Sequence, residues 1–378
     1  MKRGYFLLVI IFVLHLNIDA QNKRIRDYGI EIGVLKTGKL NAITDVNGVT
    51  VGHETIVEGD NVRTGVTAII PHQRNVFQNK VPAAIYIGNG FGKLAGYSQV
   101  KELGNIETPI ILTNTLSVAA ATEGLISYTL NQEENANVRS VNSIVGETND
   151  SWLNDIQGRH VTEQHVLNAI ANAKDGLVKE GNVGAGTGTI CFGYKGGIGT
   201  SSRIIPESFG GYTVGVLVQT NFGGVLEING VPIAKELQKY PYRDKILNDA
   251  DGSCMIVIMT DAPLNARNLE RLAKRAIIGL GKTGGIASNG SGDYVIAVST
   301  AKENLIPYQS DSMFNEKKEV RNDDMSPLFL AAIESTEEAI LNSLFAAETI
   351  TGRDGHTIES LPIEKVLELM KKYKKIKN

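Results

Sequence analysis

The amino-acid sequence predicts an α/β fold built as one layered unit. Three observations carry that reading. Short apolar runs of strand length alternate along the chain with longer amphipathic runs of helical period. Several of the short runs are apolar throughout, the pattern of strands covered on both faces. No repeat and no low-complexity linker divides the 378 residues, although a chain of this length also allows two domains. Composition agrees, with 42% hydrophobic and 21% charged residues, which is ordinary for a globular protein with a large core. Glycine is frequent, 40 residues, and points to many tight backbone turns.

The elements follow in chain order. Lys2 and Arg3 precede an apolar run over residues 5–16, and small Ala20 precedes polar Gln21. The run is too short to span a bilayer, which takes ~20 residues. Residues 1–20 therefore read as a secretory signal peptide, and 21–378 as an exported, periplasmic or secreted chain with no membrane segment left after cleavage. Strands are expected over 83–87, 109–113, 140–145, 213–219, 254–260 and 294–299. Helices are expected over 118–130, 162–173, 266–278, 327–347 and 362–373, with polar residues from Thr162 to His165 capping the second. Residues 225–228 and 231–233 suggest a hairpin around Asn229-Gly230, a turn that needs positive φ.

Several function classes lose support at this level. A net charge of −3 shows no broad basic surface for nucleic acid. Two cysteines, Cys191 and Cys254, exclude a disulfide framework, while an oxidising compartment leaves open whether they pair. The six histidines show no metal-ligand spacing, so neither a metal nor a cofactor is expected. The loop Gly184-Ala-Gly186-Thr-Gly188-Thr189 is not followed by a helix, as a dinucleotide fingerprint requires. The P-loop-like stretch over 276–283 starts with Ala and reads as the end of a helix. Gly-x-Ser-x-Gly is absent. Spacing alone leaves a Ser-His-Asp triad open, because triads assemble in space.

Four segments carry candidate chemistry. Asp251-Gly252-Ser253-Cys254 places turn residues and a hydroxyl at the head of an apolar strand. Ser291 lies between two glycines, and Asp293 stands two residues on, able to orient that hydroxyl. Asn221 ends a strand before Gly223-Gly224, where its amide can donate to a developing oxyanion. Glu147 is a carboxylate at a further strand end, followed by Asn149.

With these segments in view, the chain resembles the L-aminopeptidase / D-amidase-esterases and β-peptidyl aminopeptidases, self-processing N-terminal serine hydrolases. The likeness extends over most of the mature chain, through residues 38–53, 64–71, 108–115 and 196–203. It implies a four-layer αββα sandwich of N-terminal-nucleophile-hydrolase type. It also implies one catalytic domain cut between Gly252 and Ser253 into chains 21–252 and 253–378, and a homo-oligomer of cut protomers. Ser253 would be the nucleophile, assisted by Ser291 and Asp293, the latter standing where the family often has Glu. Asn221 would serve the oxyanion, Glu147 would bind the substrate ammonium, and Asn149 would be a further substrate contact. Cys254 should point to the opposite face of its strand. The expected activity is release of N-terminal amino acids from small peptides, amides or esters through an acyl-enzyme. Two alternatives stay open: an N-terminal-nucleophile amidase or acylase on non-peptide amides, and a non-catalytic exported binding protein.

Overall fold

The structure, a computed structural model, describes residues 23–241 and 252–376. The signal peptide expected at 1–20 and Asp251 lie outside the described residues. The main strands are β1 (Thr50–Glu58), β2 (Val62–Ile70), β3 (Asn79–Gly90), β4 (Ile110–Asn114), β5 (Ile144–Thr148), β6 (Ile198–Ile204), β7 (Thr213–Asn221), β8 (Ser253–Thr260) and β9 (Gly292–Ser299). The helices are α1 (Tyr97–Leu103), α2 (Val118–Leu130), α3 (Glu163–Ala171), α4 (Ile233–Glu236), α5 (Ala266–Lys282), α6 (Ser326–Phe345) and α7 (Ile363–Lys372).

Two sheets result. One runs β1-β2-β4-β5 and the other β6-β7-β8-β9-β3, each extended by two-residue pieces. The pairs β4–β5 and β8–β9 are parallel. A parallel pair needs a crossover, and α2 and α5 supply them. Helices α2 and α3 cover the outer face of the first sheet; α5 and α6 cover that of the second. Strand alternation builds the middle. Along β8, Met255, Val257 and Met259 enter the core between the sheets, while Cys254, Ile256 and Ile258 face α5 and α6. The layers are therefore αββα, as the resemblance implies.

Most expected elements are present within a few residues, and the differences have physical causes. The strand expected over 140–145 begins only at Ile144, because the Asn142 N–H and the Ser143 hydroxyl are used by Glu107 and Thr122. The hairpin expected at 225–233 reduces to one bridge, Ile228–Val231, around Asn229 (φ 50°) and Gly230 (φ 76°). The turn chemistry is right, but the chain after it enters α4. The stretch over 276–283 is the last part of α5, and 184–186 is a short 3-10 turn. Strands β1, β2 and β6 escape a search for apolar runs. In β6, Thr200, Ser201 and Arg203 are buried because β7 and α6 satisfy them.

Close packing of α6 on β6 depends on Gly199. A Cβ there would lie 2.0 Å from the Ala339 carbonyl oxygen and 2.7 Å from the Ser343 nitrogen. Gly281, near the end of α5, has nothing within 4 Å of its Cβ position. Gly199→Ala should therefore cost about 1–3 kcal/mol of stability. Gly281→Ala should add about 0.5–1 kcal/mol. Chemical denaturation of the two variants checks this, and equal effects would mean that α6 does not lie directly on β6.

Candidate active site

Three strand ends meet at one edge of the second sheet. The last residue of β7, Asn221, pairs with the first residue of β8, Ser253, and Ser253 pairs with the first residue of β9, Gly292. The alternation that sends Met255 between the sheets sends Ser253 to the same side. Ser253 and Asn221 are nearly closed off from solvent. Cys254 points to the helix side, as expected, and burial pushes its thiol well above the ordinary range. Cys191 is likewise buried, its thiol pushed up to about 12, and both cysteines are free.

The backbone of Gly292 links the site. Its N–H donates to the Gly252 carbonyl oxygen at 3.0 Å and to Ser253 Oγ at 3.3 Å. One donor thus touches both the hydroxyl and the carbonyl of the peptide bond preceding it. Glycine at 252 follows from packing: a Cβ there would lie 2.2 Å from the Asn221 carbonyl oxygen and 2.5 Å from the Phe222 Cα.

Ser291 and Asp293 flank Gly292 and are both buried. Ser291 Oγ donates to Asp293 Oδ1 at 2.9 Å, the orientation expected from their spacing. Asp293 Oδ2 is buried with no well-formed hydrogen bond to any of the described residues. Burial pushes the Asp293 carboxyl up to about 6, against the opposing pull of the Ser291 hydroxyl and the Cys254 backbone. The turn before β9 is tied by Asn89, whose amide donates to the Ser288, Asn289 and Ser291 carbonyls. No sequence signal singles out Asn89, since its partners are backbone groups about 200 residues away.

The Asn221 amide is held at both ends. Oδ1 accepts the Ile190 N–H and Nδ2 donates to the Asn149 carbonyl, each at 2.9 Å. An amide nitrogen carries two protons, so Nδ2 retains a second donor. Asn149 thus reaches the site through its backbone; its exposed side chain accepts the Ser151 N–H. Glu147, on the facing sheet, is buried. It accepts the Lys93 N–H at 2.8 Å and the Thr115 hydroxyl. Tyr294, on β9 beside the Ser253 strand, approaches it across Gly92. Burial raises the Tyr294 phenol, and the charges of Glu147 and Asp293 push it further up. Gly92 permits this approach, because its Cβ position lies 2.9 Å from the Tyr294 ring and 3.1 Å from Glu147 Oε1. Tyr294 and Gly92 were not legible as site residues. Among the described residues, no histidine hydrogen-bonds to Ser253, Ser291 or Asp293.

The chain as a whole is similar to known peptidases. The family model for peptidase family S58 matches residues 41–358. The β-peptidyl aminopeptidase BapA of Sphingosinicella microcystinivorans is 39% identical over 387 residues, 95% of this chain and 94% of that protein. A solved structure from Pyrococcus horikoshii OT3 superposes with a TM-score of 0.86 at 49% identity, covering 93% of this chain and 99% of the other. The L-aminopeptidase D-Ala-esterase/amidase of Ochrobactrum anthropi, described as a prototype serine aminopeptidase with a variant of the Ntn-hydrolase fold, gives 0.86 at 36% identity, covering 94% and 99%. With a family model over most of its length and relatives of this identity at nearly full coverage, the chain belongs to peptidase family S58 and is a peptide-bond hydrolase.

Proposed function

We propose that the chain is an exported serine aminopeptidase that matures by cutting its own Gly252–Ser253 bond. One observation carries the reading: a single N–H, that of Gly292, contacts both Ser253 Oγ and the Gly252 carbonyl oxygen. The future nucleophile and the bond it would cut share one backbone donor. Ser253 Oγ attacks the Gly252 carbonyl carbon, and its proton passes toward the Ser291–Asp293 pair. Negative charge develops on the Gly252 oxygen, where the Gly292 N–H already points. The C–N bond breaks, the Ser253 nitrogen takes up a proton, and water hydrolyses the ester to free the Gly252 carboxylate. The Ser253 α-amine so released has a reference pKa of about 7.7–8.0, suited to a base near neutral pH.

The matured site then acts on a second bond. Ser253 Oγ attacks the carbonyl of the substrate's first residue, giving an acyl-enzyme that water resolves. In self-cleavage and in substrate turnover alike, the remaining Nδ2 proton of Asn221, whose residue pairs with Ser253, supports an oxyanion role beside the Gly292 N–H. Glu147 is the candidate reader of the substrate's free ammonium, because it is buried beside Tyr294 and keeps acceptor capacity beyond its two bonds. An unpaired charge in such a place is costly, which favours substrates that bring an amine. The substrate class is small peptides, amides or esters with a free N-terminal amino acid. Assembly into a homo-oligomer of cut protomers and export directed by residues 1–20 complete the proposal, the latter resting on their charge and apolar pattern. An N-terminal-nucleophile amidase or acylase acting on non-peptide amides is the second reading, and buried Glu147 disfavours it.

Ser253→Ala should remain one chain and be inactive; N-terminal sequencing that finds the same cut in this variant removes Ser253 from the nucleophile role. In the uncut chain, the ionised Asp293 carboxylate that accepts the Ser291 hydroxyl can draw a proton through it, and a protonated carboxyl cannot act as that base. The rate of self-cleavage should thus be flat above pH about 6 and fall roughly tenfold per pH unit below it. Asp293→Asn should be slow and flat through this range. An acid limb that survives this substitution would assign the titration to another group, such as buried Asp150, also pushed up to about 6. Glu147→Gln should lower kcat/KM for free-amine substrates at least tenfold while leaving self-cleavage within about threefold, since the Gly252 bond presents no free amine. Equal losses in the two assays would make Glu147 a structural carboxylate.

A further inference from the structure

The Asn221 amide is aimed by a backbone group, the Ile190 N–H. Ile190 belongs to a small hairpin in which Ile190–Cys191 pairs with Tyr194–Lys195. The turn between them uses Phe192 (φ 53°) and Gly193 (φ 72°). Lys195 is the direct cross-strand neighbour of Ile190. Its side chain is completely buried. Nζ donates to the Gly186 carbonyl at 2.8 Å and to the Gly196 carbonyl at 2.7 Å. Gly186 precedes the hairpin and Gly196 follows it, so one ammonium closes the hairpin at its base.

We propose that Lys195 is a positioning residue for the reaction: its buried ammonium clamps the 186–196 loop so that the Ile190 N–H holds the Asn221 amide in its working orientation. This rests on the reading of Asn221 as the oxyanion donor. The glycine-rich stretch from Gly184 to Gly188, which matches no nucleotide motif, leads into this loop and is closely packed. A Cβ at Gly186 would lie 2.5 Å from the Ile198 nitrogen, and one at Gly188 would lie 2.1 Å from the Arg63 carbonyl oxygen. Glycine therefore lets the loop approach the backbones of Ile198 and Arg63 while the Gly186 carbonyl accepts from Lys195. Packing alone gives no reason for a lysine here. Lys195 makes no ion pair among the described residues, and burial pushes its ammonium down to about 7, with the Asp150 carboxylate opposing the shift. A methionine would fill the same space without burying a charge.

The test follows self-cleavage of the full chain after a pulse of synthesis in four forms: wild type, Lys195→Met, Asn221→Ala and the double variant. Asn221→Ala should slow cleavage about 10²–10³-fold. Lys195→Met should slow it about 10-fold or more, and the double variant should be no slower than Asn221→Ala within threefold, because Lys195 acts through Asn221. Lys195→Gln, which keeps N–H donors on a shorter arm, should recover part of the rate lost in Lys195→Met. Two slowing effects that multiply in the double variant would overturn the positioning role while leaving the Asn221 reading intact. A wild-type rate in Asn221→Ala would instead overturn the oxyanion reading and the inference with it. If Lys195→Met fails to fold, Lys195→Gln replaces it in the cycle, with the same outcomes deciding.

Discussion

The site depends on the register of three adjacent strands. Asn221, Ser253 and Gly292 sit side by side because β7 and β8 pair antiparallel and β8 and β9 pair parallel, each to the last residue. A slip of one residue in either ladder would turn Ser253 toward the helices and Cys254 toward the site. The core between the sheets resists that slip. Met255, Val257 and Met259 are already committed to it, and the facing sheet leaves room for Met255 only where Gly146 has no side chain. The apolar alternation of β8 thus carries chemical information: it decides which of two neighbouring nucleophilic side chains enters the site.

The opposite side of the same sheet is organised by charge. Arg203 on β6 is fully buried and donates to Glu334 at 3.0 Å and to Glu338 at 2.7 Å, both on α6. Arg26 shares Glu338, and Glu334 accepts the Val34 and Leu35 N–H groups. Burial alone would raise the Glu338 carboxyl; the Arg26 hydrogen bond and the Arg203 charge overcome it and hold it below the usual range. These bonds tie residues 26–35 to β6 through α6. Buried ion pairs are weak evidence for net stability, because desolvation offsets attraction, yet removing one partner strands the other. Their clear structural consequence is to seat α6, the helix against which β6 and β7 pack.

Legibility in the sequence varied with the kind of partner a residue has. The serine at the head of an apolar strand, the Ser291–Asp293 spacing and the strand-end positions of Asn221 and Glu147 were readable because each is a local relation between neighbours. The strands of the second sheet were readable for the same reason, except β6, whose Thr, Ser and Arg residues are buried only because distant groups satisfy them. Asn89, Gly92, Tyr294 and Lys195 left no mark. Asn89 acts on carbonyls about 200 residues away, Gly92 matters through the space it leaves, and Tyr294 looks like any apolar strand residue. Lys195 resembles a surface lysine until the hairpin closes over it.

The sequence by itself determined the layered α/β class, the order of most elements, the family likeness and the chemical types gathered for the reaction. Period and composition suffice for these, because they reflect which faces of each segment avoid water. Only the tertiary structure decided that the Gly292 N–H serves both the Gly252 carbonyl and Ser253 Oγ, that Asn149 contributes its backbone rather than its amide, and that Glu147 and Tyr294 from the two sheets converge on Gly92. Those facts are backbone hydrogen bonds and contacts between segments far apart in the chain. No local pattern encodes them, because the partners become neighbours only when the two sheets close on their shared core.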